Sequence, residues 1–77
     1  MQQSFSNLAV GTTARVLSYH GMADSYRKKL MSMGLIPGTC FKVQRVAPLG
    51  DPVEINVRGF CLSLRREEAA GLQVEVL

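Results

Sequence analysis

Hydrophobic and polar residues alternate from Thr12 to Tyr19, with Ala14, Val16 and Ser18 on one parity and Arg15, Leu17 and Tyr19 on the other. A period of two marks a strand, and Gly11 supplies a turn ahead of it. The two threonines at its start favour pleated backbone. The period then changes. Met22, Tyr26, Leu30 and Met33 recur at helical spacing and predict one short helix, Ser25 to Met33, with a single buried stripe. Asp24 or Ser25 is placed to cap it, and Asp24 with Lys28 forms an (i, i+4) pair in the favourable order. Gly34 stops the helix by taking left-handed backbone, which lets Leu35 fold back on the last apolar turn. Pro37-Gly38 then supplies the φ values of a type II turn.

The remainder reads as β. Phe41 to Val46 alternates and slips phase between Arg45 and Val46, the signature of a bulge. Pro48-Leu49-Gly50-Asp51-Pro52 is a turn-rich loop. Val53 to Arg58 alternates strictly, Gly59 is a tight hinge, and Phe60, Leu62 and Leu64 alternate with Cys61 and Ser63 as the second arm of a hairpin. Arg65 to Ala70 reads as a helical turn ended by Gly71, and Leu72, Val74 and Val76 mark a last strand. About five short strands with one inserted helix suggest a mostly-β, SH3-like barrel rather than an open sandwich, because closure disposes of strand edges. Residues 1–77 are expected to form one domain. Gly34, Pro37, Gly38, Gly50, Pro52 and Gly59 are its expected structural turns.

Composition narrows the function classes. An apolar fraction of 47% supports a packed core, and 19% charged residues is below the level of disordered chains. No apolar run reaches the roughly 18–20 residues that span a bilayer, and Met1 to Asn7 lacks the basic and apolar regions of a signal peptide. A cytoplasmic location is expected. Cys40 and Cys61 are then reduced, half-buried thiols, with no C-x-x-C metal spacing. Nine cations against six anions permit an acidic partner without demanding one.

Catalytic chemistry finds little to work with. His20 is the one histidine, and no Ser or Cys stands at a nucleophile motif. Glu67 and Glu68 are adjacent, so a helical turn points them apart. Gly34 to Gly38 lacks the Lys-Ser/Thr of a phosphate loop. An enzyme is not expected. His20 with Asp24 is the candidate metal pair, for iron or zinc, with other donors supplied by folding. Nucleic-acid binding is disfavoured, since Phe41 and Phe60 sit on core-pattern positions and only Tyr19 is left to face outward beside Arg15. The run Arg27-Lys28-Lys29 reads as a solvated helix face, and Met31 on its side is the methionine best placed for exposure.

Three blocks in order carry a resemblance. They are Tyr26 to Gly38, Arg45 to Pro52, and Val57 to Arg65 with Glu67-Glu68-Ala69. Together they resemble the FeoA family, small cytoplasmic accessory proteins of bacterial ferrous iron uptake, over roughly Leu8 to Val76. The resemblance implies an SH3-like barrel with an inserted helix. It further implies a partner, the FeoB membrane transporter with its cytosolic G-protein domain, and a regulatory rather than iron-carrying role. A related fold ends some metal-responsive repressors, but no DNA-binding segment precedes it here, so this chain is expected to stand alone. Without tryptophan, polyproline recognition is not expected. A hydrophobic groove between helix and barrel, rimmed by Arg27 and Lys28, is expected instead. The docking surface then comprises Arg27, Lys28, Met31, Leu49 and Asp51, with no required cofactor and at most a regulatory divalent ion. A metal-sensing module is the alternative reading, and a nucleic-acid-binding barrel the remoter one.

Overall fold

The computed structural model describes residues 2–77. Its elements are β1 (Gln2–Ser4), a 3-10 turn (Phe5–Asn7), β2 (Thr13–Tyr19), α1 (Asp24–Ser32), β3 (Cys40–Val46), β4 (Val53–Val57), β5 (Phe60–Leu64) and β6 (Leu72–Val76). The strands make one antiparallel six-stranded sheet in the order β1-β6-β2-β3-β4-β5. The fold is mostly β and SH3-like, with six strands where the sequence reading expects about five. β1 has no signature in the sequence, because its three polar residues carry no alternation. It forms because its partner β6 aligns Gln3 with Val74 and the next residue, Phe5, is fully buried. β1 and β5 end the sheet without pairing to each other, so hydrogen-bonded closure is not complete.

The core gathers Phe5, Leu8, Ala14, Val16, Leu30, Leu35, Phe41, Val43, Val53, Ile55, Val57, Leu64, Ala69, Leu72 and Val74. Val53, Ile55 and Val57 are buried while Glu54 and Asn56 are not, as strict alternation requires. Two bulges alter the other strands. In β2, Val16 opposes Val74 and Ser18 opposes Gln73, so Leu17 is the extra residue. Leu17 is left exposed, and the phase flips so that Tyr19 lies opposite Leu72 and packs against the core. Tyr19 therefore does not face outward beside Arg15. In β3 the extra residue is Gln44, one position before the expected slip, and it returns Val46 to the core side.

Helix α1 starts one residue earlier than expected. Ala23 is its N-cap, with no side-chain cap bond, and Asp24 is already helical. Asp24 pairs with Arg27 at 3.4 Å rather than with Lys28. Its buried side chain is Leu30, flanked by the half-buried Met22, Tyr26 and Met33. At the C-terminus the Gly34 N–H donates to Met31 O (3.1 Å) and the Leu35 N–H donates to Leu30 O (3.0 Å). With Gly34 at φ 93°, this is a Schellman stop. It turns Leu35 under the sheet, where Leu30 and Leu35 are both fully buried, each contributing about 1.5–3 kcal/mol of apolar burial. The Tyr19 hydroxyl donates to Leu35 O, which ties the stop to β2.

The turn Ile36 to Thr39 closes through Thr39 N–H to Ile36 O at 3.0 Å, with Gly38 at φ 93°. The segment Arg65 to Ala70 forms a single turn, with Ala69 N–H donating to Arg65 O at 3.0 Å, and no helix follows. The next residue, Gly71, passes against β2. A Cβ there would stand 2.1 Å from the His20 carbonyl oxygen.

Candidate functional site

The most exposed large apolar residue among those described is Leu49, at 99%. It sits in the loop between β3 and β4, and that loop is held at several points. Gly50 N–H donates to Ala47 O (2.8 Å), and Ala47 N–H donates to Pro52 O (3.1 Å). Arg66 fastens the loop from the other side. Its Nε donates to Gly50 O at 2.7 Å, its backbone N–H donates to Asp51 Oδ1 at 2.9 Å, and its Nη1 donates to Ser6 O. One guanidinium thus joins the 3-10 turn, the Leu49 loop and the turn after β5. The Arg65-Arg66 pair reads in sequence only as two cations. Asp51, expected as a contact residue, is instead half-buried and engaged by the Arg66 backbone.

A leucine held out on a pinned loop has an apolar face of about 1.5–3 kcal/mol still to be buried, which a partner pocket can supply. The arrangement suits docking, because the loop loses little freedom on binding.

Arg27, Lys28 and Met31 lie together on α1. Lys28 is exposed, Met31 is 43% exposed, and Arg27 is half-buried with its Nη2 near Asp24 Oδ1. Arg27 Nε is buried without a hydrogen-bond partner. Arg27, Lys28 and Met31 are carried by α1, and Leu49 and Asp51 by the loop between β3 and β4. No cavity opens among the described residues. Tyr19, Met22, Tyr26 and Met33 are half-buried and pack against the core.

Burial pushes the phenols of Tyr19 and Tyr26 above the ordinary tyrosine range. At Tyr19 the nearby Arg27 charge opposes this in part, and at Tyr26 the Glu68 carboxylate adds to it.

His20 follows β2 and is exposed, with Nε2 and Ser18 Oγ 3.0 Å apart. Asp24 already faces Arg27. No group of three His, Cys, Asp or Glu side chains among the described residues comes together as a metal cage. His20 and Asp24 offer two donors at most. Cys40 and Cys61 are free and exposed rather than half-buried, and Cys61 Sγ donates to Gln44 Oε1 at 3.3 Å. Phe60 is also outside the core, 72% exposed, although its alternation places it with Leu62 and Leu64. It begins β5 beside the turn, opposite the buried Val57. No helix among the described residues is long and apolar enough to cross a membrane.

A family model described as the FeoA domain matches residues 4–76. The chain is 36% identical over 72 residues to an Fe(2+) transport protein A/Fe(2+) transporter FeoB fusion protein of Porphyromonas gingivalis. That match takes in 94% of this chain and only 8% of the fusion protein. Among solved structures, the solution structure of Chlorobium tepidum FeoA superposes with a TM-score of 0.89 at 43% identity, covering 97% of this chain and 70% of that one. Stenotrophomonas maltophilia FeoA, complexed with zinc and described as a prokaryotic SH3 domain protein, superposes with a TM-score of 0.80 at 26% identity. There 95% of this chain and 89% of that one are covered.

Proposed function

The chain belongs to the FeoA family, an accessory family of ferrous iron transport, and on that footing we propose that it docks on the cytosolic part of a FeoB-type membrane transporter and modulates it without catalysing a reaction. The observation that carries this reading is the Porphyromonas gingivalis fusion, in which a relative of this chain and a FeoB transporter share one polypeptide. Covalent joining holds two domains at high effective concentration, as serves partners that work against each other. The protein, a single domain over residues 1–77, acts in the cytoplasm and reaches the membrane only through its partner. The pinned Leu49 supplies the apolar anchor, and Arg27, Lys28 and Met31 supply a second, more polar contact. No nucleic acid enters this role.

Binding of the isolated chain to the transporter's cytosolic G-protein domain, measured by pull-down and calorimetry, tests the proposal. Saturable binding together with reduced iron uptake in a deletion strain is the expected result. No binding, with normal uptake in the deletion strain, ends it.

A second reading is a regulatory divalent metal held by His20 and Asp24, with no cofactor required for docking. The zinc complex of the Stenotrophomonas maltophilia relative favours it. Calorimetry with Zn(II) and Fe(II) on wild type and His20→Ala distinguishes the two readings. Heats lost in the variant support a site, and equal weak heats remove it.

A further inference from the structure

We propose that β5 is a docking edge for an extended, acidic segment of another protein, which adds to the sheet as a seventh strand. The backbone carries the argument. β4 and β5 join through Arg58-Gly59, both at positive φ (53° and 88°), so the strands close on a two-residue hairpin with Val57 opposite Phe60. Val57 and Phe60 are then a hydrogen-bonded pair, and in an antiparallel ladder such pairs alternate. Leu62, opposite Ile55, and Leu64, opposite Val53, bond inward to β4 as well. The N–H and C=O of Cys61 and Ser63 therefore point away from the sheet. No backbone bond outside the strands uses either residue, and β5 ends the strand order.

Sheet edges are ordinarily blunted by a charge, a proline, a bulge or brevity. The opposite edge, β1, has only three residues. β5 has five, Phe60-Cys61-Leu62-Ser63-Leu64, with none of those devices, and Phe60, Cys61 and Ser63 are exposed.

Charge selects the occupant. Arg58 precedes β5 and Arg65 follows it, both exposed, and neither takes part in an ion pair among the described residues. An added strand of about seven residues with a carboxylate near each end meets a cation at each end. A second copy of this chain fits poorly. Antiparallel β5–β5 pairing brings Arg58 of one copy toward Arg65 of the other at both ends, and parallel pairing sets like beside like. This edge is distinct from the Leu49 loop and stands independently of the transporter reading.

Titration of isotope-labelled protein with the peptide acetyl-EVTVTVE-amide tests the proposal. Saturable shifts and slowed hydrogen exchange at the Cys61 and Ser63 amides are expected. The same peptide N-methylated at alternate residues cannot complete a ladder, and it should bind at least about tenfold more weakly, as should KVTVTVK. Ser63→Pro removes one outward N–H and leaves the inward bonds to β4, so the fold should survive while peptide affinity falls about tenfold or more. Arg58→Glu with Arg65→Glu should reverse the preference toward KVTVTVK. Undiminished binding of the N-methylated peptide overturns the proposal. So do shifts centred away from β5, or no binding of the acidic peptide at about 1 mM. Concentration-dependent protection of Cys61 and Ser63 in the protein alone would give the edge to a second copy instead.

Discussion

At the scale of single residues, two glycines do different work under the same letter. Gly34 needs left-handed backbone (φ 93°) to end α1, and a Cβ there would meet only Val57 Cγ1 at 4.0 Å. Gly34→Val should cost about 1–3 kcal/mol in urea melts, through φ alone. Gly71 has no positive φ, yet a Cβ would run into the His20 carbonyl, whose own N–H donates to Gly71 O at 2.7 Å. Gly71→Ala should therefore cost at least about 3 kcal/mol, and it should do so by breaking the start of β6 away from β2. A sequence shows a glycine after a helical turn; it does not show the strand pressed against it. The tyrosines give a pH prediction. Their phenols lie above the ordinary value of about 10 in the folded state, so between that value and the folded one the native chain holds more protons than the unfolded chain. Stability is complete below the unfolded value and is lost as pH rises through the folded one. Tyr26→Phe should flatten the alkaline limb of a Tm-versus-pH curve; an unchanged limb would contradict the burial of that ring.

At the scale of elements, legibility depended on whether a strand keeps one phase. β4 alternates without interruption, and its buried set is evident from Val53, Ile55 and Val57. The bulges at Leu17 and Gln44 were harder, because one extra residue reverses the inward parity of everything after it. Leu17 and Tyr19 share a parity in sequence and end on opposite sides. Phe60 differs for another reason: its parity matches Leu62 and Leu64 and its partner Val57 is buried, yet at the turn its own ring stays in solvent. β1 has no pattern at all and depends on tertiary fastening. Its neighbour Ser6 is held by Arg66, so Arg66→Met should release both the amino-terminal turn and the Leu49 loop. A loss of about 1–3 kcal/mol is expected, with hydrogen exchange quickening at Gln3 and Ser4 before β4. Uniform acceleration across the sheet would show that Arg66 supports the fold as a whole and not these two segments.

At the scale of the whole molecule, the candidate docking surface was half visible. Leu49 in a Pro- and Gly-rich loop stands out as an apolar residue out of place, but the fastening that makes it an anchor comes from a residue far along the chain. Leu49→Asp should leave Tm within about 2 °C, since the side chain touches nothing, and should weaken binding to the transporter's cytosolic domain by about tenfold or more. Equal affinity would move the contact to α1. The antiparallel pairing of β1 with β6 sets Gln2 beside Glu75, so the strand that begins the described chain and the strand that ends it leave the sheet at one place and in the same direction. Tension applied between those two ends loads the ladder one bond at a time, as a zip, and not all its bonds together in shear. A domain tethered at both ends within a longer polypeptide would thus peel from β1 inward under a small pull, and force spectroscopy on a doubly tethered chain should record low-force opening with the Leu49 loop freed among the first events.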